Sequence, residues 1–564
     1  MMDELRESAP HVFKAVQYAT QVTDGTLVAC ELTRLAAQRF LDDLEREDAP
    51  WYFNTASAER ACRYIENLPH IKGEWAKRRE LLVLEPWQCF IVCNVFGWLL
   101  VADDTRRFRM AYIEVARKNA KSTLAAAIGL YMLDEDGEAG AEVYSAATTR
   151  NQAKIVFGVA QEMARRTPEL PLEVRAHNIA RTDMASKFEA LHAQGETLDG
   201  HNIHCAINDE LHAWKNRAVY DVLETATGSR VQPLMFNITT AGNDTSGVCY
   251  DVRRYCVRLL EGHAEDDSVF ALIYTLDKND DWSDREVWPK ANPNYEVSVY
   301  PLDLEALCRK ATEVVSQQNA FLTKRMNVWV NAAEAWMNMR QFEACFDSTL
   351  DLADFEKEQT WAGIDLASKI DVSSQAQIFA REIDGQDHLF CFMRHWLPEA
   401  AVEEDPNGVY DGWVRGGHIR TTPGNVIDVD RIESDTLEEV AAPFDLECLA
   451  IDPGHNSTQY GVHMAQELGP IVIDVRPTVL NFSEAMKWLE AYVKDGRFHY
   501  NCPVLTWMVS NVEVKRDHKD NIYPRKGAVN RKIDGVIALL MAVNRYRLAA
   551  DNVTIYESRG VITV

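Results

Sequence analysis

The chain reads as an α/β protein with two successive sheet-containing domains, the first built on a mostly parallel sheet. Three observations predict this. Short β-rich apolar runs alternate with segments of helical period in two separate series, which is the pattern of strands joined by helical crossovers. A turn-rich stretch carrying DKNDDWSD and ANPN lies between the series. The composition, 47% hydrophobic and 26% charged over 564 residues with no low-complexity tract or fixed-period repeat, suits a chain that buries substantial cores.

Residues 1–80 read as helical, with Leu32, Leu35, Ala36, Phe40 and Leu41 at three- and four-residue spacing. Residues 87–102 are the most apolar stretch. Gln88 and Asn94 interrupt it and it is short for a bilayer, so a buried helix and no membrane association are expected. The first series then runs through strands at 109–115 (RMAYIEV), 142–147 (EVYSAA), 204–207 (HCAI) and 234–240 (LMFNITT), with helices at 123–133 and 152–165. A mixed region follows from 243 to 340. The second series has strands at 360–367 (TWAGIDLA), 389–393, 448–451 and 470–475, and closes on a helix at 533–544. The expected organisation is therefore a helical region, 1–80, and two α/β domains, 81–340 and 341–564.

The net charge of −27 argues against a protein coated in positive charge, although a basic groove can sit on an acidic body. Two basic clusters stand out: Lys77, Arg78 and Arg79, and the stretch from Lys515 to Lys532. The twelve cysteines lack paired CxxC spacing. Cys89 and Cys93 are one helical turn apart without a second ligand pair, so free buried thiols are expected rather than zinc. The fifteen histidines form no tight metal-binding pattern; His201, His204 and His212 surround one strand and are expected to be structural.

Residues 114–123, EVARKNAKST, follow a strand and open a helix, which is where backbone N–H groups can cradle phosphates. There Lys121 would neutralise β/γ-phosphate charge, and Ser122, beside Thr123, would hold Mg²⁺. Val115 and Ala120 stand where glycines are usual. Residues 202–210, NIHCAINDE, form an apolar strand that delivers Asp209 to organise the metal shell and Glu210 to polarise the attacking water. Residues 236–242, FNITTAG, end a further strand in hydroxyls, with Thr240 placed to sense the terminal phosphate.

In the second half Asp365 (WAGIDLA), Asp452 (LAIDPG) and Asp534 (KIDGVIALLMAV) come from a first strand, a later strand and a final helix, the ribonuclease-H-like order. Three such carboxylates suit two divalent ions, Mg²⁺ or Mn²⁺, flanking a scissile phosphate. Asp371 is either an accessory ligand or a turn cap. Lys515, Arg516, Arg525, Lys526, Arg531 and Lys532 are candidates to carry a DNA backbone into the site.

Taken together, RKNAKST, INDELHAW, TTAG, the upstream LEPWQ and the following GWLL resemble the large terminase subunits of tailed bacteriophages, in the branch with an RxNxK phosphate loop. The resemblance implies a P-loop ATPase followed by a ribonuclease-H-like nuclease. It implies that Gln88 reads the adenine edge, that Arg117 belongs to the loop, and that Asp365, Asp452 and Asp534 are the metal ligands. The implied activity is ATP-driven translocation of double-stranded DNA into a procapsid, with metal-dependent endonucleolytic cutting of concatemers. Implied partners are a small terminase subunit and the portal, on which the chain forms a ring while being monomeric when free, in the host bacterial cytoplasm. A ring motor also implies an arginine supplied in trans, with Arg150 and Arg230 as candidates. The rival readings are a helicase-like translocase without nuclease activity and a non-enzymatic docking scaffold with a vestigial loop.

Overall fold

The computed structural model describes residues 2–147, 149–192, 201–214, 217–332, 335–367, 371–405, 408–454, 457–517, 520–527 and 531–559. The chain divides into two compact units: Met1–Glu313 with Ala320–Val330, and Val314–Asn319 with Asn331–Val564.

After a short helix, Met2–Ser8, the first unit holds the amphipathic helices α1 (Pro10–Thr23), α2 (Glu31–Glu45) and α3 (Thr55–Glu66), followed by the buried α4 (Pro86–Gly97), apolar but for Gln88 and Asn94. Pro86 suits the first turn of α4, where its missing N–H is not needed, and a Glu85–Gln88 capping box closes the helix start. The expected single helix over 87–102 is corrected. It stops at Gly97, where a Cβ would meet the Phe53 ring, and Trp98–Leu100 pairs antiparallel with Trp51–Phe53. Hydrophobicity alone does not mark such an end. No helix among the described residues is long and apolar enough to cross a membrane.

The main sheet contains β1 (Met110–Glu114), β2 (Glu142–Ala147), β3 (Ser186–His192), β4 (Ile203–Asp209), β5 (Leu234–Thr239) and β6 (Val269–Ile273). Its order is β6-β1-β5-β4-β2-β3, all parallel, with Asn178–Arg181 and Glu173–Val174 added antiparallel at one edge. Every residue of β4 and β5 is buried, as expected of strands covered on both faces. The sequence order thus becomes a spatial one. β5 is inserted between β1 and β4, with Thr239 level with Glu114 and Asp209 level with Ile238.

The second unit holds β7 (Gln359–Asp365), β8 (Ser373–Ile383), β9 (Gln386–Pro398), β10 (Arg420–Thr422), β11 (Asp445–Ile451), β12 (Val472–Asp474) and β13 (Phe498–Tyr500). The order is β10-β9-β8-β7-β11-β12, with β13 paired to β9. β7, β8 and β9 are antiparallel, whereas β7, β11 and β12 are parallel. A separate antiparallel hairpin, β14 (Val512–Arg516) and β15 (Ile522–Lys526), precedes the final helix. The hairpin and β8 had no clear signature in the apolar pattern. All twelve cysteines are free and buried, as expected.

Helix α1 is fixed to α3 by a buried charge cluster. His11 Nδ1 and Nε2 lie 2.8 and 2.9 Å from Glu59 and Glu66, and these hydrogen bonds raise the imidazole to about 9. A raised value in the folded state means this contribution is complete below about pH 6.5 and lost as pH rises through about 9, amounting to about 3 kcal/mol. Thermal unfolding followed from pH 6.5 to 9.5 is expected to show a fall in stability that is markedly shallower in His11→Gln.

Candidate nucleotide and metal sites

β1 ends at Glu114, and the chain turns back into helix α5 (Lys121–Asp134) through a loop with two left-handed residues, Lys118 (φ 76°) and Ala120 (φ 57°). This is the conformation glycine adopts without strain, so the turn keeps its shape although the glycine is absent. What holds it lies far away in sequence. Buried Asn119 donates to Ala116 O (3.0 Å) and Asn292 Oδ1 (3.1 Å) and accepts from Asn294 N (2.9 Å), while Ser298 Oγ donates to Lys118 O (2.6 Å). Asn294 in turn accepts from the Trp87 indole at 2.6 Å. The ANPN stretch, expected only as a turn, therefore clamps the phosphate loop and α4 together. Its asparagines, and Asn119 itself, carry no motif that spacing alone reveals.

Lys121 Nζ donates to Val115 O (2.9 Å) and Ala116 O (3.2 Å). Burial pushes its ammonium down to about 8, against the opposing charges of Glu210 and Asp209. Burial and the Glu210 charge push Asp209 up to about 6, with Lys121 opposing them. For Glu210 burial is outweighed by the His212 hydrogen bond and by Lys121, holding it at about 2. Thr240 Oγ1 donates to Glu210 Oε2 at 3.3 Å. These residues therefore lie within one electrostatic neighbourhood, as the strand order requires.

Arg117, Lys121, Ser122, Thr123 and Glu210 line a cleft of about 470 Å³ that also touches His70 and Trp75. A smaller, mostly apolar cavity of about 150 Å³ shares His70, Trp75, Ala120 and Thr123 and is lined by Gln88, Leu82 and Leu84. The cleft bearing Arg117, Lys121, Ser122 and Thr123 suits phosphates, and the smaller cavity beside Gln88, Leu82 and Leu84 suits a planar base. Gln88 Oε1 accepts from Glu85 N, so its amide N–H₂ is the group available to a ligand. Of the arginines considered for a role in trans, Arg230 is committed internally, donating to Asn202 O and Gly140 O and pairing with Glu138. The Arg150 side chain lies outside the described residues.

In the second unit, Asp365 ends β7, Asp452 follows β11, and Asp534 opens helix α6 (Asp534–Arg559). Their approach depends on Gly363. A Cβ there would collide with Ala538 O and lie 2.8 Å from Ala542 N, so only glycine lets α6 lie flat on β7. Burial and the charges of Asp534 and Asp452 raise Asp365 well above the carboxylate range. Burial likewise raises Asp534, whose buried Oδ2 has no hydrogen-bond partner among the described residues. Among the described residues no three His, Cys, Asp or Glu side chains are already gathered as a cage. The like-charged aspartates instead stand as neighbours, with Lys526 Nζ 3.4 Å from Asp534 Oδ1. Hard carboxylate donors, mutual repulsion and an orphaned oxygen fit divalent cations.

Asp371 both caps and pairs: it accepts from Val372 N, and Lys532 Nζ lies 2.6 Å away. The basic stretch is not a uniform DNA track. Lys526 and Lys532 face the carboxylates, Arg531 is buried beside Glu513, and Lys515 and Arg525 are exposed. The Arg516 side chain lies outside the described residues. Two tyrosines missed in the sequence flank the cluster. Burial raises both phenols, with added effect from Asp452 and Asp365 on Tyr523 and from Asp371 and Asp534 on Tyr410. Gly363→Ala is expected to reduce DNA cutting at least about tenfold while leaving ATP turnover within about twofold, measured on the same preparation.

Comparison with known proteins gives concordant matches. The family model described as terminase large subunit, endonuclease domain, matches residues 263–550, and the one described as terminase large subunit, ATPase domain, matches residues 86–258. Protein YmfN of Escherichia coli (strain K12) is 37% identical over 381 residues, 64% of this chain and 82% of the relative. The terminase large subunit of Enterobacteria phage HK97 is 28% identical over 498 residues, 86% of this chain and 94% of the relative. The crystal structure of the HK97 large terminase covers 86% of this chain and 99% of its own, at 25% identity and a TM-score of 0.42.

Proposed function

This chain belongs to the terminase large-subunit family, and from that premise we propose how its residues divide the work. The protein is an ATPase and a metal-dependent endonuclease of phage DNA packaging and cutting. The helicase-like alternative is not favoured, because the endonuclease match spans residues 263–550. We take 81–340 as the ATPase region, 341–564 as the nuclease region, and 1–80 as a helical addition to the former.

In the ATPase, Gln88 meets the base, Arg117, Lys121 and Thr123 meet the phosphates, and Ser122 and Asp209 hold Mg²⁺. Lys121 keeps two of its three N–H donors on loop carbonyls, so it is already aimed into the loop that receives phosphate. Glu210, held ionised by its surroundings, orients the attacking water, and Thr240 joins that carboxylate to the neighbouring strand. Bound Mg²⁺ supplies the charge neutralisation that phosphoryl transfer requires. The observation that carries this reading is that Lys121 and Glu210, 89 residues apart in sequence, line one cleft, with β5 paired between β1 and β4.

In the nuclease, Asp365, Asp452 and Asp534 would hold two Mg²⁺ or Mn²⁺ ions, which when bound would lower the pKa of a water and neutralise charge on the leaving 3′-oxygen. Lys526 and Lys532 keep Asp534 and Asp371 in place, and Lys515 and Arg525 face solvent where a phosphate backbone can pass. Family membership also supports a small terminase subunit and a portal as partners. It supports a ring on that portal formed from chains that are monomeric when free, and action in the host bacterial cytoplasm.

The two activities separate by substitution. Lys121→Ala is expected to lower ATP turnover at least about 100-fold while retaining Mn²⁺-dependent cutting, and Asp365→Asn to do the reverse. Chelation by EDTA abolishes both in the parent. Cutting that survives Asp365→Asn, or turnover that survives Lys121→Ala, contradicts these assignments.

A further inference from the structure

A row of three aromatic side chains begins beside the carboxylates of the second unit. Tyr410 stands on the helix Val409–Arg415, whose start is fixed by Asp405: its Oδ2 accepts from Val409 N at 2.6 Å and from Tyr410 N at 3.1 Å. The phenol feels the charges of Asp371 and Asp534. Its ring centroid lies 6.2 Å from that of Trp413, and Trp413 lies 4.8 Å from Trp507 at an interplanar angle of 55°. Trp507 belongs to the helix Pro503–Ser510, which is pinned to the start of α6. Met508 Sδ accepts from Gly535 N at 3.1 Å, and Asn511 Nδ2 donates to Lys532 O at 3.0 Å. Both ends of the row therefore adjoin the segment that carries Asp534.

The row is not sealed into the core. Trp336 and Trp396 of the same unit are 3% and 0% exposed, whereas Tyr410, Trp413 and Trp507 are half-buried against the apolar cluster. Among the described residues, Tyr410 Oη, Trp413 Nε1 and Trp507 Nε1 have no hydrogen-bond partner, and none of them is an enclosed orphan. The ring bodies rest on protein and the polar tips reach solvent, as in side chains that meet a ligand with one apolar face. Indole and phenol rings hold nucleobases by stacking, a contact that every base can make. A base inside an intact duplex shows only its edges in the grooves, so it reaches such a row only after leaving the stack.

We propose that Tyr410, Trp413 and Trp507 form a subsite for an unstacked nucleobase of the strand being cut, beside the scissile phosphate. This rests on the reading of Asp365, Asp452 and Asp534 as the nuclease carboxylates. Continuity with those carboxylates selects the occupant: a phosphate held at Asp534 brings the bases on either side of it to the row. Stacking there offsets part of the cost of taking a base out of the duplex. The nuclease is then a cutter of locally opened DNA, indifferent to which base it stacks.

The test measures Mn²⁺-dependent cutting by the full-length parent, Trp413→Ala, Trp413→Phe, Trp507→Ala and Asp365→Asn. The substrates are a single-stranded oligothymidylate, an abasic strand of the same length and charge, and a duplex with and without a central run of mismatches. For the parent, kcat/KM is expected to be at least about fivefold higher on oligothymidylate than on the abasic strand, and higher on the mismatched duplex than on the perfect one. Trp413→Ala and Trp507→Ala are expected to bring both ratios close to one, and Trp413→Phe, which keeps a ring, to recover most of each. A parent that cuts no single strand, or that does not distinguish the substrates, overturns the proposal. So do parental ratios in Trp413→Ala, which a protein partner on this row would give, and an equal loss on every substrate, which a purely structural tryptophan gives. Asp365→Asn judges the underlying reading separately: cutting retained there removes the nuclease assignment, whatever the tryptophan variants show.

Discussion

Both sites are governed by the cost of holding charge away from water. A buried carboxylate or ammonium is tolerated only when an opposite charge or several hydrogen bonds stand beside it. In the first unit the compensation is partly internal: Lys121 faces Asp209 and Glu210, and each partner shifts the ionisation of the others. In the second unit, Asp365 feels the charges of Asp452 and Asp534, Lys526 stands 3.4 Å from Asp534, and one Asp534 oxygen has no partner among the described residues. Arrangements of this kind are destabilising without a cation beside them, which is the physical reason for reading them as candidate sites.

Sheet topology makes such arrangements affordable to fold. Parallel strands finish at a common edge, so inserting β5 between β1 and β4 brings a phosphate loop, an acidic pair and a hydroxyl turn into register without long side chains. In the second unit β7 and β11 are parallel neighbours, and Gly363 lets α6 settle directly on β7. The aspartates are thus placed by the backbone elements that carry them.

Strand ends were the legible part of the sequence. Asp209, Glu210, Asp365, Asp452 and Asp534 each follow or open an apolar run, and each lies at the end of a strand or the start of a helix. What the sequence concealed were interactions between residues far apart. Asn119 and Asn292, 173 residues apart, hold the phosphate loop, and this explains how Lys118 and Ala120 adopt a glycine-like conformation. Charge runs misled for a related reason. The Lys515-to-Lys532 stretch looks continuous, yet the hairpin turns its members in different directions, and Arg531 is buried. Hydrophobicity was also silent on where α4 stops, because the equally apolar Trp98–Leu100 pairs as a strand with Trp51–Phe53.

The claim that both carboxylate groups are cation sites is tested most directly by anomalous X-ray scattering from crystals grown with Mn²⁺ and a non-hydrolysable ATP analogue. The account predicts Mn²⁺ between Ser122 and Asp209 beside the analogue's phosphates, and Mn²⁺ among Asp365, Asp452 and Asp534. A well-ordered map with Mn²⁺ only elsewhere, or an analogue bound away from Lys121, would contradict it.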